Sequence, residues 1–173
     1  VAVSTARFAN VAFSDGSLLH GFTQRLQKRQ PLSAPRDIKR YFVSQQDAGH
    51  LCVMSCLLGA NRDIFFPKEG DTMNLLNLHE IALEFLELNG YTPIECGSED
   101  EARARTDELI AKKQWPCFFF ESDTTGEKPF EEFYLEGDEI DWDRFKTIGV
   151  ILHEATDVSD SVTTFVERLD ELR

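Results

Sequence analysis

Long apolar runs are missing from this sequence: no stretch of about 18 apolar residues occurs, so no membrane-spanning helix is expected. Glycine (10) and proline (6) are too few for collagen-like repetition or a low-complexity linker. The four cysteines, Cys52, Cys56, Cys96 and Cys117, have no Cys-x-x-Cys spacing and are too sparse for a disulfide framework. Such usage suits a reducing compartment, and a cytoplasmic location is expected. The chain opens at Val1 with no basic and apolar leader, so no signal peptide is expected, and the opening reads as part of a longer chain. Basic residues are outnumbered, 18 against 31 acids, for a net charge of −13, which disfavours nucleic acid and anionic membrane as partners.

Chemical motifs are also scarce. His79-Glu80 begins a zinc-protease pattern, but Leu83 stands where the second histidine is needed. Cys52 and Cys56 share a helical face without a second ligand pair, and the acids between Asp138 and Asp143 lack calcium-loop spacing, so no metal is expected. There is no Gly-x-Gly-x-x-Gly, no P-loop and no Tyr-x-x-x-Lys. No cofactor is therefore expected to bind this chain alone.

What is present is a chain of 173 residues, 42% hydrophobic, with 14 phenylalanines, enough for a sizeable core. Charge divides unevenly: residues 1–68 hold nine Lys/Arg against four acids, +5, and the remainder carries −18. Residues 1–11 alternate and read as a strand, followed by a helix over residues 18–30 with Ser17 as its cap. A strand at Tyr41–Val43, a helix over 44–58, a strand at 64–66 and a helix over 77–89 closed by Gly90 come next. Beyond it the spacing predicts a strand over 92–96, an acidic helix over 99–113, and strands at 117–121, 130–135 and 149–152. A last helix from Ser159 places Val162, Phe165, Val166, Leu169 and Leu172 on one face, expected to pack within the chain. The alternation of strands and helices indicates an α/β fold.

Read from chemistry alone, Ser14-Asp15-Gly16-Ser17 sits at a helix N-terminus, where free N–H groups favour an anion, or is a plain turn and cap. The segment Thr5-Ala6-Arg7-Phe8-Ala9-Asn10-Val11, then Ser14 to Ser17, then Pro31-Leu32, then Arg40-Tyr41-Phe42-Val43-Ser44 and Asp47-Ala48 resembles the second half of an extended short-chain dehydrogenase/reductase. More closely, it is similar to the polysaccharide-biosynthesis type, the UDP-N-acetylglucosamine 4,6-dehydratases. The resemblance is carried by residues 1–68; the remainder adds no motif.

The resemblance implies the C-terminal substrate-binding portion of an extended Rossmann-type dehydratase, built of mixed short strands with packed helices. It implies a nucleotide-sugar-binding part over residues 1–90 and an acidic α/β extension over 91–173. A UDP-sugar and the N-terminal Rossmann domain would be its partners, with association into a homo-oligomer also open. NAD or NADP and the catalytic Tyr/Lys pair would belong to the full-length enzyme, so no residue here is expected to be catalytic. By position, Asn10 would hydrogen-bond the nucleotide-sugar, or else cap a strand end. Ser14, Gly16 and Ser17 would approach the diphosphate, and Arg40 would pair with it. Asp15 stands where the family often has arginine, so Lys28, Arg36 or Lys39 would supply compensating charge; Arg7 would form a structural or interdomain ion pair. In the intact enzyme the cofactor would oxidise the sugar at C4, water would leave across C5 and C6, and hydride would return to C6. Epimerisation shares every residue seen here. A stand-alone nucleotide-sugar-binding module and an acidic protein-docking domain are the other readings.

Overall fold

Residues 1–68, 75–123, 125, 126, 128, 130–154 and 159–171 are described in a computed structural model of the chain. The elements run β1 (Thr5–Ala6), β2 (Asn10–Val11), α1 (Leu18–Gln27), β3 (Leu32–Pro35), β4 (Lys39–Val43), α2 (Gln45–Leu58) and β5 (Ile64–Pro67). They continue through β6 (Leu75–Asn77), α3 (Leu78–Leu88), β7 (Thr92–Glu95), α4 (Glu99–Ala104), α5 (Thr106–Ala111), β8 (Gln114–Phe120), β9 (Ile140–Asp141), β10 (Ile148–Ile151) and α6 (Ser159–Glu171). This is a mixed α/β fold of three small sheets, as the alternation of elements predicts.

The first sheet, β1-β5-β10-β9, is parallel at β1 and β5 and antiparallel beyond. The second, β2-β4-β6, joins the first stretch of the chain to the basic strand β4. The third, β3-β8-β7, is wholly parallel. Parallel strands bury both faces. Here Leu32, Ala34, Trp115 and Cys117 are enclosed with Phe22 of α1 and with Ala82 and Leu86 of α3. Because β3 pairs with β8, both a sheet and a core cross residue 90.

Two expected strands differ from the structure, and β3, β6 and β9 are not predicted by the sequence pattern. Residues 1–11 do not form one strand: β1 bonds to β5 and β2 to β4, so the chain changes sheets between Arg7 and Asn10. Residues 130–135 form no strand, because their polar groups have other partners. Arg7 donates to the Phe133 carbonyl, and the Asp138 carboxylate accepts from Leu135 N–H at 2.8 Å. The missed strand β3 is a short segment beginning just after Pro31 and ending at Pro35, and only its pairing with β8 reveals it.

Two helices also differ. The acidic helix breaks at Arg105, the residue shared by the end of α4 and the start of α5. Helix α6 forms, but Val162, Phe165, Val166 and Leu169 remain exposed rather than packed. No described element covers them, and Leu172 lies outside the described residues.

Gly149 is required by close approach. A Cβ at this position on β10 would collide with the Phe66 ring, which is fully buried. Two thiols share the enclosed environment of the third sheet. Burial pushes the Cys117 thiol up to about 12 and raises that of Cys96, where Glu101 adds to the effect. The unfolded chain therefore loses the Cys117 proton from its ordinary value of 9.0 upward, while the folded chain keeps it. Stability should fall between pH 9 and pH 12 by up to about 1.4 kcal/mol per pH unit from this group. Urea unfolding at pH 8 and pH 10 should show a slope that Cys117→Ala reduces.

Candidate functional site

Strands β2 and β4 bring the motif residues together. Their parallel register sets Asn10 opposite Phe42, and the two-residue repeat of a strand then puts Arg40 on the same face. Tyr41 and Val43 point the other way, against Phe66 and Phe133 in the core. Asn10 and Arg40, thirty residues apart in sequence, thus share one face of a small sheet.

Each of these side chains is held. The Asn10 amide nitrogen donates to the Tyr41 carbonyl at 3.3 Å. Arg40 is only 13% exposed, donates to the carbonyls of Lys39 and Lys128 at 2.8 and 3.0 Å, and faces the Glu131 carboxylate at 3.4 Å. Arg7 donates to the carbonyl of Phe133, and among the described residues it has no ion pair within the chain. Both motif arginines therefore fasten the segment around residues 128–133, which carries no motif identified in the sequence.

The turn after β2 is built as a turn and cap. Ser14 donates to the Val11 carbonyl at 2.9 Å, and Ser17 accepts from His20 N–H at 3.3 Å as the N-cap of α1. Gly16 adopts φ +78°, the left-handed conformation that glycine tolerates, and faces open space. Asp15 is fully exposed and pairs with His20 at 3.6 Å, so its carboxylate is turned outward. Of the compensating bases, Lys28 caps the far end of α1, roughly 15 Å from Ser17 at the helical rise. Arg36 is engaged on the third sheet, paired with Glu95 and lying over the Phe119 ring at 5.4 Å. Neither stands at the turn.

Beside Phe42 opens a cleft of about 430 Å³ that the sequence reading missed. Phe8 and Phe42 supply aromatic wall, while Ser44, Asp47, His50 and Thr147 supply polar groups. None of Asn10, Ser14, Gly16, Ser17 and Arg40 lines it, although Phe42 connects it to the Asn10 register. One signal was legible: Ser44 caps α2, with Asp47 N–H at 3.0 Å, which places His50 one turn into the helix on the side of Asp47. The Thr147 contribution comes from the far end of the chain and is a product of tertiary folding.

The arrangement can hold a polar ligand. Among the described residues no group of three or more metal-ligating side chains occurs. The strand-to-helix turns before α1 and α4 do not fit a dinucleotide. The turn before α1 has one glycine and an outward acid, and the turn before α4 is followed by Glu99, Asp100 and Glu101, which repel a pyrophosphate.

The sequence profile of a family described as "Polysaccharide biosynthesis protein" matches residues 1–152. The chain belongs to this polysaccharide biosynthesis family. It is of the extended short-chain dehydrogenase/reductase type, whose members depend on NAD(P). A relative is the "Probable polysaccharide biosynthesis protein EpsC" of Bacillus subtilis (strain 168), 28% identical over 113 residues, covering 62% of this chain and 18% of that protein. The solved structure of Pen from Bacillus thuringiensis has a similar fold, with a TM-score of 0.63 and 14% identity over 97% of this chain and 50% of Pen. The family member described here thus spans about a fifth of EpsC and half of Pen. No helix among its described residues is long and apolar enough to cross a membrane.

Proposed function

We propose that this chain is the substrate-binding part of an NAD-dependent, UDP-N-acetylglucosamine 4,6-dehydratase-like enzyme that works in surface polysaccharide biosynthesis. The observation that carries the reading is the shared face of Asn10 and Arg40, set by the β2–β4 register in a member of this family. On this reading the Arg40 guanidinium takes the diphosphate and the Asn10 amide a polar group of the nucleotide-sugar. Ser14, Gly16 and Ser17 shape the turn beside them, and the cleft walled by Phe8 and Phe42 receives an aromatic or sugar ring. The cofactor and the catalytic pair stand on another part of the enzyme, and the Rossmann half is the partner.

Calorimetric titration with UDP and UDP-N-acetylglucosamine tests this. Binding is expected, and it should weaken as salt is raised because the diphosphate is held by charge. The purified chain should release no dehydrated sugar nucleotide, even with NAD added. Absence of binding at millimolar UDP would remove the substrate-binding assignment, and turnover would show that the chain carries its own chemistry.

A further inference from the structure

Between β2 and α1 the chain makes a strained turn. The Val11 carbonyl accepts from Ser14 N–H at 3.4 Å and from the Ser14 hydroxyl at 2.9 Å, closing a four-residue turn over Ala12 and Phe13. Its third residue, Phe13, has φ +57°. A turn with positive φ at that place ordinarily takes glycine, because the left-handed region crowds a Cβ. A bulky residue there is an outlier. Burial of the ring, which would offset the strain, is missing: Phe13 is 58% exposed and belongs to none of the three core clusters.

The turn is held from two sides. Ala12 N–H donates to the Val43 carbonyl at 2.9 Å, and the Gln45 side-chain amide donates to the Phe13 carbonyl at 3.3 Å. Phe13 is thereby fixed on the carboxyl end of the parallel pair β2 and β4, where α1 and α2 begin at the serine caps Ser17 and Ser44. Ligands of open α/β sheets bind beyond the carboxyl ends of parallel strands. Phe13 does not itself line the cleft beside Phe42, but Ser44 does, and the next residue, Gln45, holds the turn, so turn and cleft adjoin. Asp15 and Asp47 add negative charge at this end and disfavour a phosphate there. The diphosphate then belongs with Arg40, about 10 Å back along β4 from Val43, and a neutral part of the ligand belongs with Phe13.

We propose that Phe13 is a specificity-determining residue whose ring covers the apolar C–H face of the sugar of a UDP-sugar seated at the cleft. The proposal deepens the proposed function and rests on it. A sugar suits this end better than a base: Ser44, Asp47, His50 and Thr147 offer donors and acceptors for several hydroxyls, while the C–H face needs an apolar cover. An aromatic ring kept exposed at a glycine-type position is a platform fixed before the ligand arrives, and the strain in the turn is offset only when a ring lies on it.

Calorimetric titration of the 173-residue chain with UDP and, separately, with UDP-N-acetylglucosamine reads the sugar contribution as a ratio of affinities. The parent should bind the sugar nucleotide about tenfold more tightly than UDP, the size expected when one apolar ring face is covered. Phe13→Gly should leave UDP binding unchanged and bring the ratio to within about twofold of unity. Phe13→Tyr, which keeps the ring, should retain the preference. Phe13→Gly should also raise the melting temperature by about 2 °C, because glycine adopts a positive φ without strain. An equal loss for both ligands in Phe13→Gly would put the ring on the nucleotide and overturn the proposal, as would an unchanged ratio. A lower melting temperature would overturn it too, by showing that the ring supports the fold. A parent chain that binds both ligands equally would sink this proposal and leave the proposed function standing, whereas a parent that binds neither would remove both.

Discussion

Replacing Arg40 with alanine is expected to weaken UDP-N-acetylglucosamine binding by roughly 10- to 150-fold, the equivalent of about 1.5–3 kcal/mol for hydrogen bonds to a charged group. The side chain projects from β4 on the face of Asn10, and the guanidinium fork suits two phosphate oxygens. Arg40→Lys keeps the charge but loses the fork, so it should recover only part of the affinity. Glu131 complicates the site in an informative way. Its carboxylate lies 3.4 Å from Arg40 and opposes any incoming phosphate, so Glu131→Gln should raise affinity where Arg40→Ala lowers it. Calorimetry on the three variants and the parent chain checks this. A loss in both Arg40→Ala and Glu131→Gln would mark the pair as a clamp for the segment around residue 131. No change in Arg40→Ala would remove Arg40 from the binding site.

Trp115→Ala should destabilise the chain by about 3–5 kcal/mol, the usual consequence of truncating a large enclosed aromatic side chain. Trp115 is 1% exposed at the centre of the third sheet. Its ring packs edge-on against Tyr91 at 4.7 Å, and its indole N–H donates to the Gln30 carbonyl at 3.0 Å. The substitution opens a cavity and leaves that carbonyl without its donor, two penalties that add. For a chain of this size the melting temperature should drop by roughly 10 °C. Calorimetry and urea unfolding measure the change. Trp142→Ala, at a position that is 41% exposed, should cost clearly less. A loss below about 1 kcal/mol at Trp115 would show that the third sheet does not anchor the fold.

The elements most legible in the sequence are those whose signals are local. Ser44 capping α2, and Asn77 and Gly90 bounding α3, could be read from residue type and helical spacing. The run Ile64–Phe66 and the Phe-rich β8 could be read as enclosed strands for the same reason. Strand β3 could not. Nothing within Leu32-Ser33-Ala34-Pro35 requires an extended pairing, and what makes it a strand is β8, more than eighty residues later. Residues 130–135 failed in the opposite direction. Their apolar content looks like a strand, yet Asp138, three residues on, takes the Leu135 N–H in a local turn, and Arg7, which only the folded chain brings near, takes the Phe133 carbonyl.

The candidate site divides along the same line. Residue types and order by themselves determined the family and the α/β class, and motif spacing singled out Asn10 and Arg40 as candidates. Tertiary structure alone decided that these two share one face, that Arg36 is engaged on the third sheet, and that Thr147 joins Phe8, Asp47 and His50 around a cleft. The physical reason is range: caps, turns and helical periodicity are encoded within about four residues, whereas strand register and the walls of a cleft depend on segments distant in the chain.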